Sequence, residues 1–131
     1  MSEQTLGQKR AAHALKAINK LVQQKNYGHF GSYVQRLPAT IVMNGLGQAM
    51  AGELAAARGG KDEDERAHRT LFELVESWLQ ECRAYSNELG LMESIVKSNQ
   101  GDYVRAQAEA LAYLEWLKKF SQAYLDSDKE Q

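Results

Sequence analysis

The side chains able to do chemistry are few and are not grouped as chemistry requires. A nucleophilic mechanism needs an activated Ser, Cys or Thr beside a base that has its own orienting partner. The single cysteine, Cys82, falls on the apolar stripe of a helix and reads as a small buried hydrophobe. His13, His29 and His68 are scattered over two helices and a connection, and no His or Cys pair has H-x-x-x-H or C-x-x-C spacing, so no metal site and no cofactor are expected. The carboxylates cluster at Asp62, Glu63, Asp64 and Glu65 and recur at Glu73, Glu76 and Glu81, mostly interleaved with Arg66 and Arg69. That pattern marks a solvated helix face rather than an acid/base pair. Glu115 beside Trp116 has no partner carboxylate. Gly45, Gly47 and Gly52 form neither a G-x-G-x-x-G turn after a strand nor a Walker loop, so nucleotide binding has no support. The expectation is a protein that is not an enzyme.

One constellation remains. At about 100° per residue, Lys9, Lys16 and Lys20, with His13 between them, fall on the side of the first helix opposite its apolar stripe. A row of cations can hold phosphates, and it can equally be a solvated face. Trp78, Tyr103, Tyr113, Trp116, Phe120 and Tyr124 could stack on bases, but most of them lie on apolar stripes, where packing into a core is the expected role.

The elements that must position these residues are helical. The 131-residue chain is rich in Ala, Leu, Glu, Gln and Lys and has one proline, which points to an all-α bundle of about four main helices plus one or two short ones in a single domain, 1–131. A net charge of −1 leaves no uniformly basic surface for nucleic acid, so such binding needs a local face. One cysteine allows no intrachain disulfide, the start MSEQTLGQKR lacks the apolar run of a signal peptide, and no apolar stretch is long enough for a membrane span. A cytoplasmic location without membrane contact follows as the expectation.

The first helix is expected over 5–25, opened by a capping box between Thr5 and Gln8, with Ala11, Ala14, Leu15, Ile18, Leu21 and Val22 inward. Residues 26–32 read as a connection and 33–36 as one helical turn. Pro38 disfavours helix at Leu37, so a new helix is expected from there to Ala57. Its glycines at 45, 47 and 52 each cost about 1 kcal/mol against alanine, a cost most simply offset by a closely packed backbone. Residues 58–65 read as a hydrophilic break. Further helices are expected over 65–85, with Ala67, Leu71, Leu74, Val75, Trp78, Cys82 and Tyr85 inward, over 91–97, and over 103–124, before a polar, frayed tail at 126–131.

Three stretches taken together go further: Arg10-Ala11-Ala12 with the helix that follows, YVQRLPATIVMNGLGQA at 33–49, and ALAYLEWLKKF at 110–120. In order and spacing they resemble the small helical subunit of the type III-B CRISPR (Cmr) RNA-guided effector complex, the LPA-x-I-x-x-NGL-x-Q-A pattern being the most specific part. The resemblance implies a noncatalytic helical bundle that stacks in several copies along the guide RNA and target RNA duplex and supports antiviral defence. Its partners would be both RNAs, the other Cmr subunits and copies of itself, with target cleavage in a neighbouring backbone subunit and polymerase-like chemistry in the large one. Lys9, Arg10, Lys16, Lys20, Arg36 and Arg69 are then the candidate RNA-binding residues. The alternative is a helical protein–protein adaptor with no nucleic-acid contact. The segment Asn44-Gly45-Leu46-Gly47 admits either a partner helix or an RNA backbone close by.

Overall fold

Local signals set most of the helix ends. The computed structural model describes residues 3–125, in which six helices and no strand occur; helix accounts for 78% of these residues. Helix α1, Leu6–Gln24, opens on the expected box: the Gln8 N–H donates to Thr5 Oγ1 at 3.0 Å and the Thr5 N–H donates to Gln8 Oε1 at 2.8 Å. It closes on Lys25 in the left-handed region, φ 69°. Helix α4, Glu63–Glu81, opens on a second box between Asp62 and Glu65, and its acidic first turn complements the positive end of the helix dipole. Helix α5 is Leu91–Lys97. Helix α6, Gln100–Tyr124, is capped by Asn99, which accepts from the Asp102 N–H and starts the helix three residues before the position expected from periodicity. Helix α4 likewise ends at Glu81, with Arg83 in the left-handed region, rather than reaching Tyr85. The tail expected to fray, 126–131, lies outside the described residues.

The middle of the chain departs from expectation twice. Helix α2, Phe30–Asn44, runs straight through Pro38 instead of starting there. Phe30, Val34, Leu37 and Ile41 form one apolar stripe across the proline and are all buried. Their burial, at about 1.5–3 kcal/mol per large side chain, outweighs the roughly 3 kcal/mol of an interior proline. The break falls seven residues later, at Gly45 (φ 88°, ψ 158°), and helix α3, Leu46–Ala56, begins there. Two of the N–H groups this break leaves without helical partners are taken up by α6: Leu46 donates to Gln107 Oε1 at 2.8 Å and Gly47 to the Tyr103 hydroxyl at 3.0 Å.

The glycines therefore differ in kind. A Cβ at residue 45 would lie 2.9 Å from the Tyr103 hydroxyl and one at residue 47 would lie 3.3 Å from Ile95 Cγ2. A Cβ at Gly52 would meet nothing within 4 Å, so close packing explains the first two and not the third.

Helix α6 is the spine, packed against α1, α2 and α4. One continuous core joins Ile18 and Leu21 of α1, Trp78 and Leu79 of α4, and Tyr113, Leu114 and Leu117 of α6. Val22, expected inward, is 39% exposed at the rim. Among the described residues no helix is long and apolar enough to cross a membrane.

Candidate nucleic-acid interface

Helices α1 and α4 leave an open groove of about 500 Å³ between them, lined on the α1 side by Lys9, His13, Lys16 and Lys20 and on the α4 side by Ser77 and Glu81. The three lysines are exposed. They form a straight row on α1, about 16 Å long from Lys9 to Lys20 at helical rise, and none of them enters an ion pair among the described residues. Among the described residues, Glu81 is the one carboxylate on the groove wall.

His13 does not share the outward aim of the lysines. Its ring is tucked into the bundle, with Nδ1 2.7 Å from the Tyr113 hydroxyl and Nε2 2.9 Å from Ser77 Oγ, and it meets the rings of Trp78 and Tyr113 edge-on. Burial holds the imidazole below its ordinary pKa, Lys16 adds to the depression and Glu81 opposes it. Burial also pushes the Tyr113 phenol above the usual tyrosine range.

The other predicted cations are not in this groove. Arg10 turns toward α6, where its Nη2 donates to Glu109 Oε1 at 2.9 Å and its Nε to Glu109 Oε2. The same carboxylate accepts from the Trp78 indole N–H at 2.9 Å, so Glu109 ties α1, α4 and α6 together. Arg36 lies over the Tyr33 ring, 5.2 Å from its centroid, and Tyr33 stacks on His68 at 3.7 Å. His68 Nδ1 in turn sits 2.8 Å from Glu53 Oε1. Arg69 is exposed on α4. The structure thus brings Lys9, Lys16 and Lys20 together, and places Arg10, Arg36 and Arg69 apart from them. Glu109, Ser77 and Tyr113 complete these arrangements from positions up to 100 residues away in the chain, with no local signal that could have named them.

Asn44 is exposed at the end of α2, and beside it α6 engages the Leu46 and Gly47 N–H groups, while Gly45 and Gly47 stay partly exposed. The neighbouring Val42 and Met43 are 68% and 80% exposed and flank an apolar cleft with Pro38 and Leu111. Trp78 and Tyr113 stack in the core, whereas Trp116 and Tyr124 reach the surface of α6. Among the described residues no group of three His, Cys, Asp or Glu side chains could hold a metal ion. Cys82 is half-buried, and burial raises its thiol pKa, which keeps it protonated.

Comparison with known proteins agrees with this architecture. The profile of the family described as CRISPR-associated protein (Cas_Cmr5) matches residues 6–124. The crystal structure of a CRISPR-associated Cmr5 family protein from Thermus thermophilus superposes with a TM-score of 0.73 at 26% sequence identity, over 95% of this chain and 100% of that one. The match runs from α1 to the end of α6 and takes in both the lysine groove and the α2–α3 break, and by it the chain belongs to the Cmr5 family of CRISPR-associated proteins, small subunits of type III-B Cmr complexes.

Proposed function

We propose that this Cmr complex subunit is a noncatalytic scaffold in antiviral defence, one that acts in the cytoplasm as part of a ribonucleoprotein and lies in several copies along the guide RNA and target RNA duplex. The observation that carries this reading is the row of Lys9, Lys16 and Lys20 along an open groove, unpaired with any described acid. Such a row meets phosphates without reading bases. It also reconciles RNA contact with a net charge of −1, because one basic face suffices while the other faces meet protein. Arg36 and Arg69 would add contacts from a different side, and Arg10 shares its guanidinium with Glu109. Few contacts per copy give weak binding, so affinity comes from neighbouring copies held on one duplex.

The adaptor reading is favoured by a different observation, the apolar cleft flanked by Val42 and Met43. A face of that kind suits another subunit of the complex or a second copy of the chain.

The test is an assembled complex carrying Lys9→Gln, Lys16→Gln and Lys20→Gln. Each exposed site should change stability by no more than about 0.5 kcal/mol. The slope of log affinity for RNA against log salt should flatten by about two units, similarly for all RNA sequences. An unchanged slope with unchanged binding returns the groove to solvent and leaves the adaptor reading. A second expected result concerns chemistry: the purified chain should turn over neither RNA, DNA nor phosphate esters, with or without divalent metal. Metal-dependent turnover that disappears when a carboxylate is mutated would overturn the noncatalytic assignment.

A further inference from the structure

His13 sits within the lysine row and yet points inward, and the scaffold reading gives it no task. Resting on that reading, we infer that RNA binding in the α1–α4 groove is coupled to protonation of His13, so that the groove takes up a proton together with the phosphates and holds RNA more tightly as pH falls.

The coupling follows from what surrounds the ring. A neutral imidazole has one donor and one acceptor nitrogen. The fully buried Tyr113 phenol has His13 as its hydrogen-bond partner, and the exposed Ser77 hydroxyl faces the other nitrogen. Both are satisfied when the phenol donates to Nδ1 and Nε2–H donates to Ser77. Protonation makes Nδ1 a donor and takes away the acceptor of a buried phenol proton. Lys16, three residues along the same face, repels the new charge. In the empty groove the ring is therefore held neutral.

Phosphates change that balance. Lys9 and Lys16 stand one helical turn on either side of His13, so phosphates bound to them flank the ring, offset the lysine charge and add negative charge of their own. An opposite charge within about 4–6 Å favours the charged form of a titrating group. The charged and titratable groups facing the ring are Lys9, Lys16 and Lys20 from α1, Glu81 from α4 and Tyr113 from α6. Glu109, behind Trp78, is already engaged by Arg10. Bound RNA thus raises the His13 pKa above its value in the free protein. Between the two values the complex carries a proton that the free protein lacks, so affinity rises as pH falls through that window, by at most tenfold per pH unit for each proton taken up, and is level on either side.

The experiment measures RNA affinity of the assembled complex from about pH 5 to 8, the range in which imidazole titrates, at fixed ionic strength. Calorimetry in buffers of different ionisation enthalpy counts the protons absorbed. The wild-type complex should tighten several-fold toward low pH with net proton uptake, and His13→Gln should flatten the profile. Tyr113→Phe preserves the ring packing and removes the phenol that keeps the imidazole neutral, so it should move the rise to higher pH; this variant decides the matter if His13→Gln does not fold. A pH dependence that persists in His13→Gln overturns the inference, as does a wild-type affinity indifferent to pH while the lysine triple substitution still flattens the salt slope; in that case the lysine reading stands alone. If the lysine substitutions have no effect either, the scaffold reading falls with it.

Discussion

Gly45→Leu should destabilise the protein severely, whereas Gly52→Leu should leave it unchanged or slightly more stable. Gly45 holds φ 88° and ψ 158°, a region essentially reserved for glycine, and forcing another residue there costs about 1–3 kcal/mol. The new side chain also begins 2.9 Å from the Tyr103 hydroxyl, the group that accepts from the Gly47 N–H. Displacing it adds about 1–3 kcal/mol of overpacking and leaves a helix-end donor unpaired. Gly52 has no φ constraint and open space where its Cβ would be, so a longer side chain there trades only on helix propensity, up to about 1 kcal/mol in its favour. Denaturant unfolding of the two variants side by side is the measurement. Equal losses would show that the break at residue 45 is not held as described. Full stability of Gly45→Leu with failed assembly on RNA would place the need for glycine in an RNA contact instead.

Glu109→Leu is the other substitution with a large expected cost. The carboxylate accepts from both Arg10 and Trp78, whose side chains come from different helices. Leucine strands a buried indole N–H, a loss of about 1–3 kcal/mol, and strands a partly buried guanidinium, where the loss is larger. Glu109→Gln retains an acceptor and should cost less. The acid limb carries a further signature. Burial raises the Glu109 pKa, but the hydrogen bonds from Arg10 and Trp78 and the Arg10 charge outweigh it and hold the carboxyl below its ordinary value. A depressed folded-state pKa gives stability that is full above the unfolded value and is lost as pH falls through the folded one. Stability of Glu109→Leu should therefore depend less on pH on the acid side than that of the wild type, and parallel acid limbs would contradict the clamp.

Features decided within a few residues were legible from the sequence. Thr5 with Gln8 gave the start of α1, and the three-and-four spacing from Ala67 to Trp78 gave the buried face of α4. Pro38 signals a helix start locally, but the four buried side chains that the same helix carries past it outweigh its local cost. The helix expected from Leu37 to Ala57 breaks at Gly45 for the converse reason: the groups that stabilise the break, Tyr103 and Gln107, arrive from α6. The site divides the same way. The lysine row is a property of one helix and could be read from spacing. The inward turn of His13 and the engagement of Arg10 depend on Tyr113 and Glu109, about a hundred residues on, and spacing along α1 carries no trace of them.

The pairing of α1 with α6 also sets an order of events during synthesis. The contacts that orient α1 join residues 99 and 100 positions apart, so they form late, after the intervening helices have left the ribosome. At about 5–20 residues per second the wait is several seconds or longer. Throughout it α1 can hold its cap and its row of lysines, but its apolar stripe has no spine to lie on. A nascent chain thus has a cationic helix before it has a groove, and only the arrival of α6 converts a sticky amphipathic segment into one wall of a defined channel.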